Sequence, residues 1–280
     1  MSEQSNKTIL IHDFKKYLIS EEKSEATIKK YVHDVRCFFS FIDHREISKE
    51  ENIAYKKYLI EEYSPVSVNS MLVALNCFLK FIERSECCVK LLKIQRQIFC
   101  QKEKELTQNE YQRLVKTARN TQLSFILQTI CGTGIRVSEL QYITVESVHA
   151  GQAVVNCKNK TRVILIPYPL QKILKQFIKK NHLKTGSIFI NKKGQPLDRS
   201  TIWRQMKGLC EKANVQPEKV YPHNLRHLFA RIFYRIKKDI VHLADILGHS
   251  SINTTRIYTL ETGEQHLNDL IQVQKYILLT

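Results

Sequence analysis

Residues 221–258 read YPHNLRHLFARIFYRIKKDIVHLADILGHSSINTTRIY, and the organisation of the chain follows from this stretch outward. His223 and Arg226 stand three residues apart, a spacing that puts both on one face of a helix. Pro222 suits the first turn of that helix. Leu225, Leu228, Phe229, Ile232 and Phe233 supply its apolar side. A second helix is predicted from about Ile240 to Leu247, ended by Gly248, with His249 at the turn. Ile252 begins another helical piece that reaches Tyr258, nine residues beyond His249. Two imidazoles, a guanidinium and a phenol suit a phosphate diester. Arginine grips phosphate oxygens with a planar fork. Histidine moves protons near neutral pH, and tyrosine can act as a covalent nucleophile.

The rest of the composition points the same way. Among 280 residues, 44 Lys and Arg face 27 Asp and Glu, a formal net charge of +17. That surplus favours a polyanionic partner, nucleic acid ahead of a membrane. The length allows one or two domains with sizeable cores. No apolar run suggests a membrane span, and the start MSEQSNKTILIHDFKKYL lacks a secretory apolar region, so the chain reads as cytoplasmic. Cys37, Cys77, Cys87, Cys88, Cys100, Cys131, Cys157 and Cys210 form no CxxC pair and no cysteine–histidine cluster with zinc spacing. Runs such as VRCFFSF and LNCFLKF instead suit small buried thiols. Neither a metal nor a cofactor is expected.

Before residue 85 the pattern is helical throughout. Apolar positions recur over 8–22, from Glu25 to about Ile42 behind a Ser24 cap, from about Ser48 to Tyr63, and through SPVSVNSMLVALNCFLKFIE. Short turns between them predict a four-helix domain. Its lysines Lys23, Lys29, Lys30, Lys56 and Lys57 suit phosphates or simply a solvated face. The following SECCVKLLKIQRQIFCQKEKE is charged and aperiodic towards its end. The domains are set at 1–98, a linker at 99–105, and 106–280.

The second domain opens with a capping box at Thr107 and Glu110. An apolar helix follows, then a glycine break at Gly132 and Gly134, then a second helix beginning near Arg136, with Glu139 one turn on to hold it. GTG lacks the rest of a nucleotide-binding loop. QAVVNC and RVILIP flank Asn159–Thr161 as a β-hairpin, with Lys158, Lys160 and Arg162 at or near its tip. Then come a helix in PYPLQKILKQFIKKNH, a short strand and turn in GSIFINKKGQPLDRS, and a helix in STIWRQMKGLCEKANV capped by Ser200, with Trp203 read as core. After Tyr258 the tail carries Leu267, Leu270, Ile271, Val273, Tyr276, Ile277 and Leu278, a helix too apolar to float free.

Arg136 in GTGIRVSEL, a hairpin lysine, HxxR at His223 and Arg226, LGHSS at His249 and TTRIYT at Tyr258 occur in this order with compatible turns. Together they resemble the tyrosine recombinase (phage integrase) family, and the compact length is similar to Xer-type members. The resemblance spans 105–280, and the four helices before it resemble the family's SAM-like core-binding domain. It implies a mainly α, two-domain fold with a mixed α/β catalytic domain and a small antiparallel sheet.

The resemblance also implies chemistry. Tyr258 would attack a scissile phosphate and displace a 5′-hydroxyl, leaving a covalent 3′-phosphotyrosyl intermediate for a second strand to attack. Arg136 and Arg226, assisted by His249, would hold the phosphate oxygens. His223 would serve as general base and a lysine as general acid. Family turns read like GKGNKxR, whereas this chain has CKNKTR, one residue shorter. The lysine is assigned to Lys158, with Lys160 as the alternative. The implied partners are double-stranded DNA with paired inverted arms and a homo-tetramer assembled on two sites, with an accessory protein or second recombinase left open and no membrane. Two rivals stand beside this reading. A type IB topoisomerase-like protein would rejoin the same strand, and the paired domains and the LGHSS…IY block argue against it. A catalytically silent DNA-binding protein would not need the full set of ionisable groups.

Overall fold

The structure is a computed structural model that describes residues 3–94, 104–157, 160–249, 251–258 and 271–274. The chain divides into two compact units, Met1–Arg96 and Gln97–Thr280.

In the first unit, α1 (Glu3–Ser20), α2 (Glu25–Ile42), α3 (Lys49–Glu62) and α4 (Pro65–Phe81) surround one core. Three of the helices begin alike. The side chains of Ser24, Ser48 and Ser64 accept hydrogen bonds from the backbone N–H groups of Thr27, Glu51 and Ser67. Each satisfies a donor that the first helical turn leaves without an internal partner. Phe14, Leu18, Phe38, Leu59, Leu72 and Phe78 are fully buried, and Phe78 meets Phe14 and Phe39 edge to face. The segment after α4 is not a free linker at its start. Asn76 donates to Val89 O and accepts from Val89 N, both at 2.9 Å. Asn69, two turns earlier on α4, does the same for Leu92 at 2.9 and 2.7 Å. Asn52 holds Cys87 O at 3.0 Å. Residues 88–94 form no helix.

The second unit contains α5 (Gln108–Thr117), α6 (Gln122–Thr133), α7 (Val145–Ala150), strands β1 (Gln152–Cys157) and β2 (Lys160–Leu165), α8 (Tyr168–Lys180), α9 (Arg199–Lys207), α10 (Cys210–Ala213), α11 (Pro222–Lys237), α12 (Ile240–Leu247) and α13 (Ile252–Thr255). The Thr107–Glu110 capping box is present. The strands pair antiparallel with Cys157 opposite Lys160 and Val154 opposite Val163. Ala153, Val155 and Ile164 face the core, and Val154, Val163 and Leu165 are exposed.

Several local expectations are corrected. Gly132 lies inside α6, and the break falls at Gly134 (φ +66°) alone. A Cβ there would stand 2.4 Å from the Phe229 ring, so glycine is required for space as well as for backbone. Val137–Tyr142 forms a 3-10 helix rather than an α-helix. In 186–199 the structure has isolated bridges, Thr144 to Ser187 and Ile190 to Pro196, rather than a strand. Asp198, not Ser200, caps α9 because its carboxylate accepts from Thr201 N at 2.8 Å. The helix predicted through 200–215 is split into α9 and α10. Trp203 is 48 % exposed, with the Lys207 ammonium over its ring, and is not core. Among the described residues no helix is long and apolar enough to cross a membrane.

Candidate active site

The site grows from the C-terminal end of α12. The last four carbonyls of a helix lack internal partners, and here every one is taken. Ala244 O accepts from His249 N at 3.0 Å and Asp245 O from Gly248 N at 2.9 Å. Ile246 O accepts from Arg162 Nη1 at 2.9 Å and Leu247 O from Arg226 Nη2 at 2.7 Å. Arg136 Nη2 approaches the next carbonyl, Gly248 O, at 3.5 Å. Three guanidinium groups thus gather where the helix dipole is negative. Gly248 makes the turn with φ +63°.

Arg226, from the first turns of α11, is 1 % exposed. Its Nη1 donates to Gly134 O at 2.6 Å, so the glycine that ends α6 also receives this arginine. Its Nη2 meets His249 Nε2 at 2.9 Å, and its Nε is buried with no hydrogen-bond partner. Burial first, then Arg136, pulls its pKa down to about 10, against the Tyr258 phenol, which raises it. The group remains a cation at neutral pH.

Arginine only donates, so His249 Nε2 must accept. The ring proton therefore sits on Nδ1, which lies 2.8 Å from the hydroxyl of the fully buried Thr255. Burial and then the neighbouring Arg226 and Arg136 push the His249 pKa down to about 4. Arg136 follows the α6 break. Glu139, 1 % exposed, accepts from Arg136 N at 2.7 Å and from Arg136 Nη1 at 3.0 Å, and it also pairs with Arg162. Burial alone would raise the Glu139 pKa. The Arg136 backbone N–H, the Arg162 side chain and the Arg136 side chain outweigh it and hold it below the usual carboxylate range.

Tyr258 ends the 3-10 turn Arg256–Tyr258 and is 4 % exposed among Ala230, Leu243 and Leu247. The His249 ring stacks near it at 6.0 Å and 18°. His223 keeps an exposed edge on α11, while the protein packed around the rest of its ring removes water and, with Arg226, Arg136 and Arg199 after it, lowers its pKa. The structure does not set His223 against Tyr258. His227 lies between them, its ring 4.5 Å from His223 and 4.8 Å from Tyr258, with its own pKa pushed down to about 4 by burial and then by His223.

Arg136, His223, Arg226, His249 and Tyr258 are thus brought together. Lys158 lies outside the described residues, and Lys160 is the first residue of β2. Sequence reasoning missed His227, Thr255 and the inward course of Arg162. A second histidine four residues after His223 was the available signal for the first. Among the described residues no cluster of three His, Cys, Asp or Glu could hold a metal.

The sequence pattern of the phage integrase family matches residues 104–264, and that of its N-terminal SAM-like domain matches residues 11–86. The chain belongs to the phage integrase family. The tyrosine recombinase XerA of Pyrococcus furiosus is 28 % identical over 283 residues, covering 97 % of this chain and 96 % of the relative. A lambda integrase dimer bound to a COC′ core site has a similar fold at a TM-score of 0.73 and 17 % identity, covering 91 % of this chain and 96 % of the other. A lambda integrase tetramer bound to a Holliday junction matches at 0.71 and 17 %, covering 90 % and 76 %. This tyrosine recombinase therefore has a mainly helical, lambda integrase-like fold with a SAM-like N-terminal domain and a small two-stranded sheet.

Proposed function

We propose that this tyrosine recombinase cleaves and rejoins duplex DNA with Tyr258 as the nucleophile and a 3′-phosphotyrosyl ester as the intermediate. The observation that carries the reading is the convergence of Arg136, Arg226 and His249 on one helix end beside the Tyr258 ring. The phenol oxygen attacks phosphorus, and the 5′-oxygen leaves and takes a proton. Negative charge growing on the non-bridging oxygens needs cations, which Arg136 and Arg226 supply. In this arrangement His249 Nε2 aims the Arg226 guanidinium. His223 is assigned as the base for the phenol, with the His227 ring standing between the two in this arrangement, and Lys158, or Lys160 in its place, protonates the leaving oxygen. The ester keeps the energy of the broken bond, so a 5′-hydroxyl of another strand can rejoin it.

Each unit contributes basic groups to a duplex, consistent with the +17 charge. The expected substrate is a site with two inverted arms, and strand exchange between two sites needs four cleavage centres, hence a tetramer. The lambda integrase tetramer on a Holliday junction supports this by its fold. An accessory protein or second recombinase fits the same scheme, and the chain would work in the cytoplasm on DNA.

The test uses a site recovered by selection from random duplexes and nicked near the cleavage point. The expected result is a covalent protein–DNA adduct in the presence of a chelator and without ATP, lost in Tyr258→Phe. Wild-type adduct levels in that variant would reject the assignment.

A further inference from the structure

We propose that Arg162 is a positioning residue for strand cleavage, tying the middle of the β1–β2 hairpin to the turn that carries His249 and to the carboxylate that orients Arg136. The proposal rests on reading the site as a strand-transfer centre. Side chains alternate along a strand. Val163 and Leu165 point outward and Ile164 inward, so Arg162 shares the core side with Ile164. A guanidinium on that side must find partners inside the protein. It finds them on two other segments, the Ile246 carbonyl at 2.9 Å and the Glu139 carboxylate, with only 16 % of its side chain exposed.

The contacts close a ring. Arg162 holds Glu139, Glu139 holds the backbone and side chain of Arg136, and Arg136 reaches Gly248 O. Gly248 completes the fit. A Cβ there would stand 2.6 Å from Arg162 Cδ and 3.2 Å from Nε, so the arginine lies directly against the turn before His249. Removing Arg162 leaves Ile246 O at the helix end without its donor and a buried carboxylate with one cation fewer. Arg136 and the 248–249 turn then lose their fixed spacing. Misplacement of a catalytic group by about 1 Å costs on the order of 100-fold in rate.

Arg162→Met keeps the side-chain volume and removes both contacts. Arg162→Lys restores a charge, but one ammonium cannot reproduce the fork that spans Ile246 O and Glu139. Cleavage of the nicked site is followed in a single turnover at saturating DNA, on an ordinary phosphate and on a 5′-bridging phosphorothiolate. Half-site binding and thermal melting are measured beside it. For Arg162→Met we expect half-site affinity within about threefold of wild type and cleavage about 10- to 100-fold slower on both substrates. Arg162→Lys should fall between the two. The loss persists with sulfur because the defect lies in the grip on the phosphate, not in protonation of the leaving group.

Wild-type cleavage by Arg162→Met would overturn the inference. So would a loss abolished by the sulfur leaving group, which would confine Arg162 to serving the hairpin lysine, or a loss matched by equally weakened binding. If Arg162→Met does not fold, wild-type rates in Arg162→Lys decide against the inference in the same way. A wild-type chain that forms no adduct overturns the strand-transfer reading and this inference with it. A wild-type adduct beside an unimpaired variant overturns the inference alone.

Discussion

His249 and His227 are both kept neutral by their surroundings, with pKa values near 4 against an ordinary 6.5. Between these values the unfolded chain binds more protons than the folded one. Stability therefore rises with pH across this window and is lost as pH falls through about 6.5 towards 4. Thermal melting followed across that range should show an acid-side decline that is shallower in His249→Asn and His227→Gln than in wild type. An unchanged slope in both variants would mean that neither ring is held neutral. At this scale the sequence is informative wherever a residue type is itself the chemistry. Arg136, His223, Arg226, His249 and Tyr258 are all legible as a spaced set of candidate groups, and the fold brings them near one another. His227, Thr255 and Arg162 are not, because their roles depend on which ring, imidazole nitrogen or carbonyl the folded chain brings to them. Trp203 misled for a related reason, since a bulky aromatic on an amphipathic helix can face solvent when a nearby ammonium covers its ring.

At the scale of elements, local signals read well where a helix start is written in its own residues. Ser24, Ser48, Ser64 and Thr107 each cap a helix through their own side chains. Arg136 and Glu139 have helical spacing in an α-helix and in the 3-10 turn Val137–Tyr142 alike, so the sequence alone does not separate the two. In the segment after α4 the sequence leaves room for a short helical piece over Val89–Ile98, and its described part, 88–94, forms no helix. Its order comes instead from asparagines two turns apart on α4, which bind it as a neighbouring strand would. Asn76→Ala removes both hydrogen bonds to Val89, each worth on the order of 1 kcal/mol net. Hydrogen exchange at the Val89 amide should quicken about tenfold or more in this variant, while the Leu92 amide, held by Asn69, keeps its protection. Equal exchange at Val89 in both proteins would show that the strap is held by something else.

At the scale of the whole molecule, a positive surplus and two helical units give a protein suited to phosphate backbones, and the proposed catalytic residues lie in the second unit. The apolar tail after Tyr258, which must pack on its own domain or on a neighbouring copy as the family resemblance suggests, falls largely outside the described residues. Residues 271–274 are helical, with Ile271 and Val273 exposed. Truncation after Thr262 should leave half-site binding largely intact and reduce the pairing of two duplexes and recombination. Full recombination by a folded truncated protein would remove the tail from the assembly. The proposed chemistry turns on Tyr258 itself. Its most direct test is peptide mapping of the adduct trapped on a nicked site, after protease and nuclease digestion. The account predicts a nucleotide joined through its 3′-phosphate to the peptide containing Tyr258, and a free 5′-hydroxyl on the released strand. A nucleotide on the Tyr221 or Tyr234 peptide, or a 5′-phosphate on the released strand, would contradict it.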